Sequence, residues 1–509
     1  MNRLDPPSRF TKDVNIWIDE AIWGHRFYND QTPWLVLLEF LSIFVSRQTT
    51  GHALNENNQT GSHEQFSYSI PRLIPLRELI FNNPHLQHIE SVGRSDTEMW
   101  NSWLKQFNDD YDFSFLKERF VSFSRLARIV EFYQTTSVEP HRQRRWSSKF
   151  IFPYGSNCLY ADLPTNINGS PDRRFFARGG ELLYLMLNRS GSGPEISSKI
   201  SSILLSDDKS WNNVINALLP PDYDRSSNSV TNRIGYLPFE TRPEYNELAS
   251  TWLQLLDLDV PGEALLDPLM RLSSLHMLLY MLRRSNEEIG SDSEPKIVLE
   301  IASPKRTSIF ELSKENFSAN RVLSSRAVRA YSESALKAPE WSSVHSAVSP
   351  PEAARIFLTE RFSWNPDDGA PSGDPETIFN SLRSYADKRH QQHVAKVHSE
   401  WSRQIGLSVS RRGAGTWYSP DDLLLKALVM CIVTDGREEY HRFLSKLYER
   451  FRLIVGVAEA EKAFGYLPSD QNAFMQNTQR LEQRLRTLGL LRRLSDDCAY
   501  VENPFGGRS

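Results

Sequence analysis

Cysteine is scarce. The 509 residues include three, Cys158, Cys431 and Cys498, far apart and never in a CxxC pair. That spacing argues against a disulfide framework or a zinc knuckle and points to a reducing, cytoplasmic setting. The strings that carry phosphate chemistry are missing too. No GxxxxGK[ST] occurs, and "RRGAGT" (411–416) lacks both the lysine and the spacing that cradle phosphates. "GAGTWY" lacks the third glycine of a dinucleotide fingerprint. An NTPase or a nicotinamide enzyme is therefore disfavoured. Neither a GxSxG elbow nor HExxH is present, and no residue pattern argues for a Ser-His-Asp triad. The opening "MNRLDPPSRFTKDVN" has no apolar stretch of the kind a secretory signal needs. The longest apolar run, "PWLVLLEFLSIFV" from Pro33 to Val45, is shorter than the ~20 residues of a membrane span, and Glu39 interrupts it. It reads as a buried helix, with no membrane partner. Neither charge sign dominates. Lys and Arg number 59 against 63 Asp and Glu, a net charge of -4, so any nucleic-acid contact must be a local patch.

What is present is an ordinary globular composition, 39% hydrophobic and 24% charged, in a chain too long for one core. The expected class is mainly α with a few short strands (α+β), in several domains. From about Asn15 to Tyr133 the pattern is helical. "FSFLKERFVSFSRLARIVEFY" repeats Phe113, Leu116, Phe120, Phe123, Leu126, Ile129, Val130 and Tyr133 at helical spacing. "KFIFPYGSNCLYADL" reads as a hairpin about Gly155, Ser156 and Asn157. "DPLMRLSSLHMLLYMLRRSNEEI" reads as a strongly apolar helix and "PKIVLEIAS" as a strand. "WNPDDGAPSGDPE" has linker composition. The expected units are an N-terminal helical domain (1–140), a central mixed domain (141–363), a linker (364–376) and a C-terminal helical domain (377–509).

The C-terminal stretch is the most readable. "YHRFLSKLYERFRLIVG" and "DQNAFMQNTQRLEQRLRTLGLL" are amphipathic helices, the second stopped by Gly489. "RRLSDDCAYVENPF" then alternates like two strands about the turn "SDDC". A helix followed by a basic strand, a tight turn and another strand resembles a winged helix. Arg480, Arg484 and Arg486 fall on or beside the helix, and Arg492 and Arg493 at the root of the wing. In winged helices the corresponding helix enters the major groove while basic residues near the wing hold phosphates. Asp496 and Asp497 at the wing tip would oppose phosphates, and many winged helices dock proteins instead.

Other clusters mix arginine with aromatic rings, a pattern suited equally to nucleic acid and to inter-domain salt bridges. "HRQRRW" supplies Arg142, Arg144, Arg145 and Trp146, and "DRRFFARGG" supplies Arg173, Arg174 and Arg178 beside Phe175 and Phe176. "SVSRRGAGTWYSPDD" reads as a tight turn at Gly413 and Gly415, then a helix with Ser419 as N-cap and Pro420 in its first turn. Acids at that helix start would repel a phosphate, leaving Arg411 and Arg412 as the contact candidates. A metal nuclease would need carboxylates and a lysine converging from neighbouring strands. Asp267, Glu300 and Lys305 are the candidates, although Ala302 stands where an E-x-K pattern needs lysine. His390, His393 and His398 in "HQQHVAKVH", and His85 and His88 in "HLQH", read as solvated helix faces, not metal ligands. No metal or cofactor is expected.

"RRFFARGGELLYLML", "SRRGAGTWYSPDDLLLKALV" and "LEQRLRTLGLLRRLSDDCAYVENPF" together resemble large proteins encoded in bacterial anti-phage defence clusters of the methylation- or phosphorothioation-associated kind. The resemblance implies a defence role beside methyltransferases, ATPases and nucleases, with other defence proteins as partners. It carries no catalytic residue. The function expected is thus a non-catalytic defence component contacting DNA, partner proteins or both. A divergent metal nuclease and a purely protein-binding scaffold are the alternatives.

Overall fold

The computed structural model describes residues 3–6, 8–12, 14–25, 27–54, 67–81, 83, 85–93, 95–106, 111–135, 154–160, 177–227, 229–301, 307–366, 369, 371–467, 469–495 and 498–506. The structure is mainly helical, with few short strands. Among the described residues, no helix is long and apolar enough to cross a membrane.

A short helix α1 (Asp19–Trp23) precedes α2 (Pro33–Thr49). Thr32 caps α2 by accepting from Leu35 N, with Pro33 at the first helical position. As the apolar run implied, α2 is buried on most of its circumference. Its partner is α3 (Gly179–Asn188), buried along its whole length. The two come unusually close at Gly180, where a Cβ would lie 2.6 Å from the Phe40 nitrogen. Helices α4 (Pro243–Leu256) and α5 (Gly262–Glu288), then α6 (Ser308–Glu333), α7 (Pro350–Phe362) and α8 (Pro375–Gln392), complete the surrounding bundle. The main apolar core runs from Ile16 to Val501, so its residues come from nearly the whole chain. A second core gathers the helices between Ile74 and Thr135 with Cys158, Tyr160 and Ile215. The segment expected as a linker joins α7 to α8, which pack on each other. Trp364 within it is buried, and Asn365 N donates to Asn15 O at 2.7 Å.

Nine short strands occur among the described residues. β1 (Ser67–Pro71) pairs antiparallel with β2 (Ser229–Arg233), and β3 (Ile297–Val298) lies parallel to β7 (Leu453–Ile454). β4 (Ser408–Arg411) and β5 (Gly415–Tyr418) form an antiparallel hairpin. β6 (Arg437–Glu439), β8 (Leu491–Arg493) and β9 (Ala499–Glu502) make an antiparallel sheet in the order β6-β9-β8. That sheet interleaves with α9 (Asp422–Ile432), α10 (Tyr440–Phe451), α11 (Val457–Phe464) and α12 (Gln471–Thr487).

Several expectations need correction. The stripe from Phe113 to Tyr133 is two helices, Leu116–Arg119 and Phe123–Thr135, with Phe120 extended between them. Asp96 accepts from Phe123 N and Ser122 from Arg125 N, which restarts the helix. The turn at 155–157 holds a 3-10 helix, Ser156–Cys158, while 149–153 and 161–163 of the expected hairpin lie outside the described residues. The helix expected through Ile454 ends at Phe451, because Arg452 adopts a left-handed φ of 57° and hands the chain to β7. The cap of α9 is Asp421, not Ser419, and its carboxylate accepts from Leu424 N at 2.7 Å. His390 and His398 are buried instead of solvated, whereas His85 and His88 are exposed as expected. Gly489 does stop α12, with φ 72°, and Leu490 N returns to Leu485 O.

Candidate functional site

The arginines singled out by sequence divide by what they touch. Arg484, on α12, donates to Asp422 Oδ1 at 2.7 Å and to Pro420 O at 2.9 Å, tying the helix to the start of α9. Arg493 pairs with Glu482 at 3.1 Å, and Arg480 reaches Gln476. Arg178 serves Glu181 and Arg233 O from a left-handed backbone, φ 78°. Arg486, Arg492 and Arg412 are exposed and make no ion pair among the described residues. Arg411 lies over the Trp417 ring, 5.7 Å from its centroid. Arg142, Arg144, Arg145, Arg173 and Arg174 lie outside the described residues, as do Lys305, Asp496 and Asp497.

Arg486 and Arg492 are presented by one local construction. Alternation along β8 turns Leu491 inward opposite Val501 and Arg492 outward opposite Tyr500. On α12 the buried residues Phe474, Asn477, Leu481 and Leu485 follow a helical stripe, which leaves Arg486 on the open side of the last turn. Basic residues there also suit the negative end of the helix dipole.

The carboxylates proposed for metal chemistry are each occupied. Asp267 pairs with Arg271 at 2.7 Å, on one face of α5. Glu300 is buried just beyond β3, accepting from Trp417 Nε1 at 3.1 Å and from Ser419 Oγ at 3.4 Å. Asp267 and Glu300 thus serve different partners, and no group of three His, Cys, Asp or Glu side chains is placed to hold a metal among the described residues.

Two buried polar clusters escaped the sequence reading. In the first, Glu39 from α2 and Glu181 from α3 are enclosed together. Glu39 Oε2 accepts from Gly180 N at 2.7 Å and Gln31 Nε2 at 2.8 Å, while Tyr68 donates to Glu181 Oε1 at 2.5 Å. Burial first, and then the neighbouring Glu181 charge, push the Glu39 carboxyl up to about 8. Burial raises Glu181 also, against the Arg178 charge. The available signal was the lone glutamate in an otherwise apolar run. In the second cluster, His390 meets Asp19 Oδ1 through Nδ1 at 2.8 Å and Ser324 Oγ through Nε2 at 3.1 Å. The connectivity is that of a nucleophilic triad. However, Ser324 lies in mid-helix, 4% exposed, and His390 is fully buried, so the chain clamps α1, α6 and α8 together.

An open cleft of about 810 Å³ lies between α4, α5 and the chain start. Its arginines are already matched to carboxylates: Arg242 with Glu244, Arg283 with Glu247 and Glu294, and Arg284 with Glu288. Such a network joins segments and leaves little unmatched charge for a ligand. Among the described residues, Arg486 and Arg492 of the C-terminal region are exposed and make no ion pair, unlike the arginines of the cleft. No protein-family model and no curated protein matches this chain.

Proposed function

We propose that this protein is a non-catalytic component of a bacterial anti-phage defence assembly and that residues 377–509 end in a winged-helix-like unit that contacts duplex DNA. The defence role rests on the resemblance of the three segments described above. The DNA contact rests on one observation: the succession α9, β6, α10, β7, α11, α12, β8, β9, with strand order β6-β9-β8, presents Arg486 and Arg492 outward and without an ion pair among the described residues. This succession is compatible with a winged helix if β7, which pairs with β3, and α11 are taken as additions to it. Guanidinium groups without an internal carboxylate lose little when they pair with phosphate.

Binding of a labelled duplex across a salt series tests the reading. Affinity should fall steeply with salt, and Arg486→Ala/Arg492→Ala should flatten the dependence by about 0.9 in slope for each phosphate no longer neutralised. Absence of binding at low salt would refute it. Tyr466, Leu467 and Met475, exposed near the start of α12, favour a second reading in which this face docks a partner defence protein. That reading gains if a Leu467→Asp/Met475→Asp variant fails to retain a co-purifying partner while DNA affinity is unchanged.

A further inference from the structure

We infer that the β4–β5 hairpin is a second phosphate-contacting element, separate from the C-terminal sheet, and that Glu300 is its positioning residue. This inference rests on the duplex-DNA reading above. The hairpin carries Arg411 and Arg412 at an exposed tip. Register places Arg411 opposite Gly415 and Val409 opposite Trp417, so Arg411 and Trp417 share a face as diagonal neighbours. Gly415 has no side chain to separate them, which lets the guanidinium reach the Trp417 ring. The same vacancy admits the stem of Lys314 from α6, whose Cε would lie 3.2 Å from a Cβ at this position. Two cations, Arg411 and Lys314, thus lie beside one glycine, and Arg412 follows at the exposed turn. Glu311 and Glu315 are exposed on α6 beside Lys314 and offset its charge, which leaves Arg411 and Arg412 as the phosphate-contacting groups. Arginine laid on an aromatic ring is held extended with its N–H groups free for an anion, at a smaller entropy cost than a loose side chain.

The base of the hairpin is fixed from beneath. Trp417 packs edge-on against Phe310 at 4.8 Å and donates Nε1–H to Glu300. Tyr418 N donates to Ser313 Oγ, Glu300 N donates to Tyr418 O, and the Tyr418 hydroxyl meets Asn320 and His398. Beyond β5, Arg484 holds Pro420 O and so joins the hairpin to α12. The buried Glu300 carboxylate therefore sets the Trp417 ring, and the ring sets Arg411.

The experiment is duplex binding by fluorescence anisotropy between low and moderate salt, with far- and near-UV circular dichroism to establish that each variant is folded. Arg411→Ala/Arg412→Ala should weaken binding and lower the magnitude of the log Kd against log salt slope by about 1.8, two phosphates at about 0.9 each. Glu300→Ala should lower it by about 0.9, whereas Glu300→Gln should restore it, because a carboxamide oxygen still accepts from Trp417. A folded Arg411→Ala/Arg412→Ala variant with the wild-type slope overturns the hairpin contact. A reduced slope in both folded Glu300 variants overturns the positioning role. If the wild type binds and only Arg486→Ala/Arg492→Ala changes the slope, the C-terminal reading survives and the hairpin inference falls. A wild-type protein that does not bind at low salt removes both.

Discussion

Replacing Glu39 by glutamine should change how stability depends on pH, and the direction follows from the burial of the carboxyl. In the folded protein Glu39 titrates near 8, against 4.5 for an ordinary glutamate. Between those values the native state holds a proton that the unfolded chain has released. A folded pKa raised above the unfolded one gives stability that is fully present below pH 4.5 and is lost as pH rises through 8. The slope is about 1.4 kcal/mol per pH unit for one proton. Glutamine keeps an oxygen to accept from Gly180 N and Gln31 Nε2 but cannot titrate. Glu39→Gln should thus gain on the wild type by about 1.4 kcal/mol for each pH unit between 5 and 8. Denaturant unfolding of both proteins at pH 5, 6, 7 and 8 measures the difference directly. Parallel profiles would show that Glu39 does not carry a native-state proton and would refute the reasoning.

Three other changes follow from the buried contacts. Burial holds the His276 and His398 imidazoles down, to about 3 and about 4, so each contributes stability that is fully present above its unfolded value of 6.5 and is lost as pH falls from there through the folded value. Acid unfolding should show a loss of about 1.4 kcal/mol per pH unit for each histidine between pH 6 and 4, flattened in His276→Gln or His398→Gln. Asn477 accepts from Ile301 N at 2.8 Å and donates to Leu299 O and Val455 O. Asn477→Leu strands these groups and should cost at least about 3 kcal/mol, read as a lowered denaturation midpoint; a loss within 1 kcal/mol of zero (roughly the error of one bond) would refute the account. Asp421→Ala should destabilise by about 0.5–2 kcal/mol through loss of the α9 cap, and Ser419→Ala by less, an order that thermal melts can check.

The features legible in the sequence are those set within a few residues. The hairpin at 408–418 is announced by Gly413 and Gly415, the end of α12 by Gly489, and β8 and β9 by alternation about a polar turn. β6 is not announced: "REE" has no apolar face, and it becomes a strand because it can pair with β9. His390 is illegible for a different reason. One of its partners, Asp19, is 371 residues away, and nothing in "HQQHVAKVH" distinguishes a buried imidazole from a solvated one. The α9 cap falls two residues beyond its expected place because Ser419 and Asp421 are both good caps in isolation. The buried Glu300 takes the serine hydroxyl and leaves the aspartate to serve Leu424 N.

The arginines make the same point about the candidate interface. Counting basic residues in "LEQRLRTLGLLRR" gives four equivalent charges, yet the fold treats them differently. Arg484 and Arg486 are two residues apart, about 200° around a helix at 3.6 residues per turn. If one faces the start of α9, the other must face away. Arg484 is accordingly held by Asp422 and Pro420, and Arg486 is left in solvent. On β8 the period of two does the same: Arg492 turns outward, and Arg493 returns to Glu482 on α12. Half of each pair is consumed in holding the unit together, and that half fixes where the other half points. Arg484→Met should therefore loosen the seating of α12 on α9 and weaken any external contact made by Arg486, although Arg486 itself is intact. Arg486→Met should weaken the contact with no change in thermal midpoint. A salt-series binding assay paired with a melt separates the two. Equal losses of stability in both variants would mean that the pairing read from α12 does not govern its presentation.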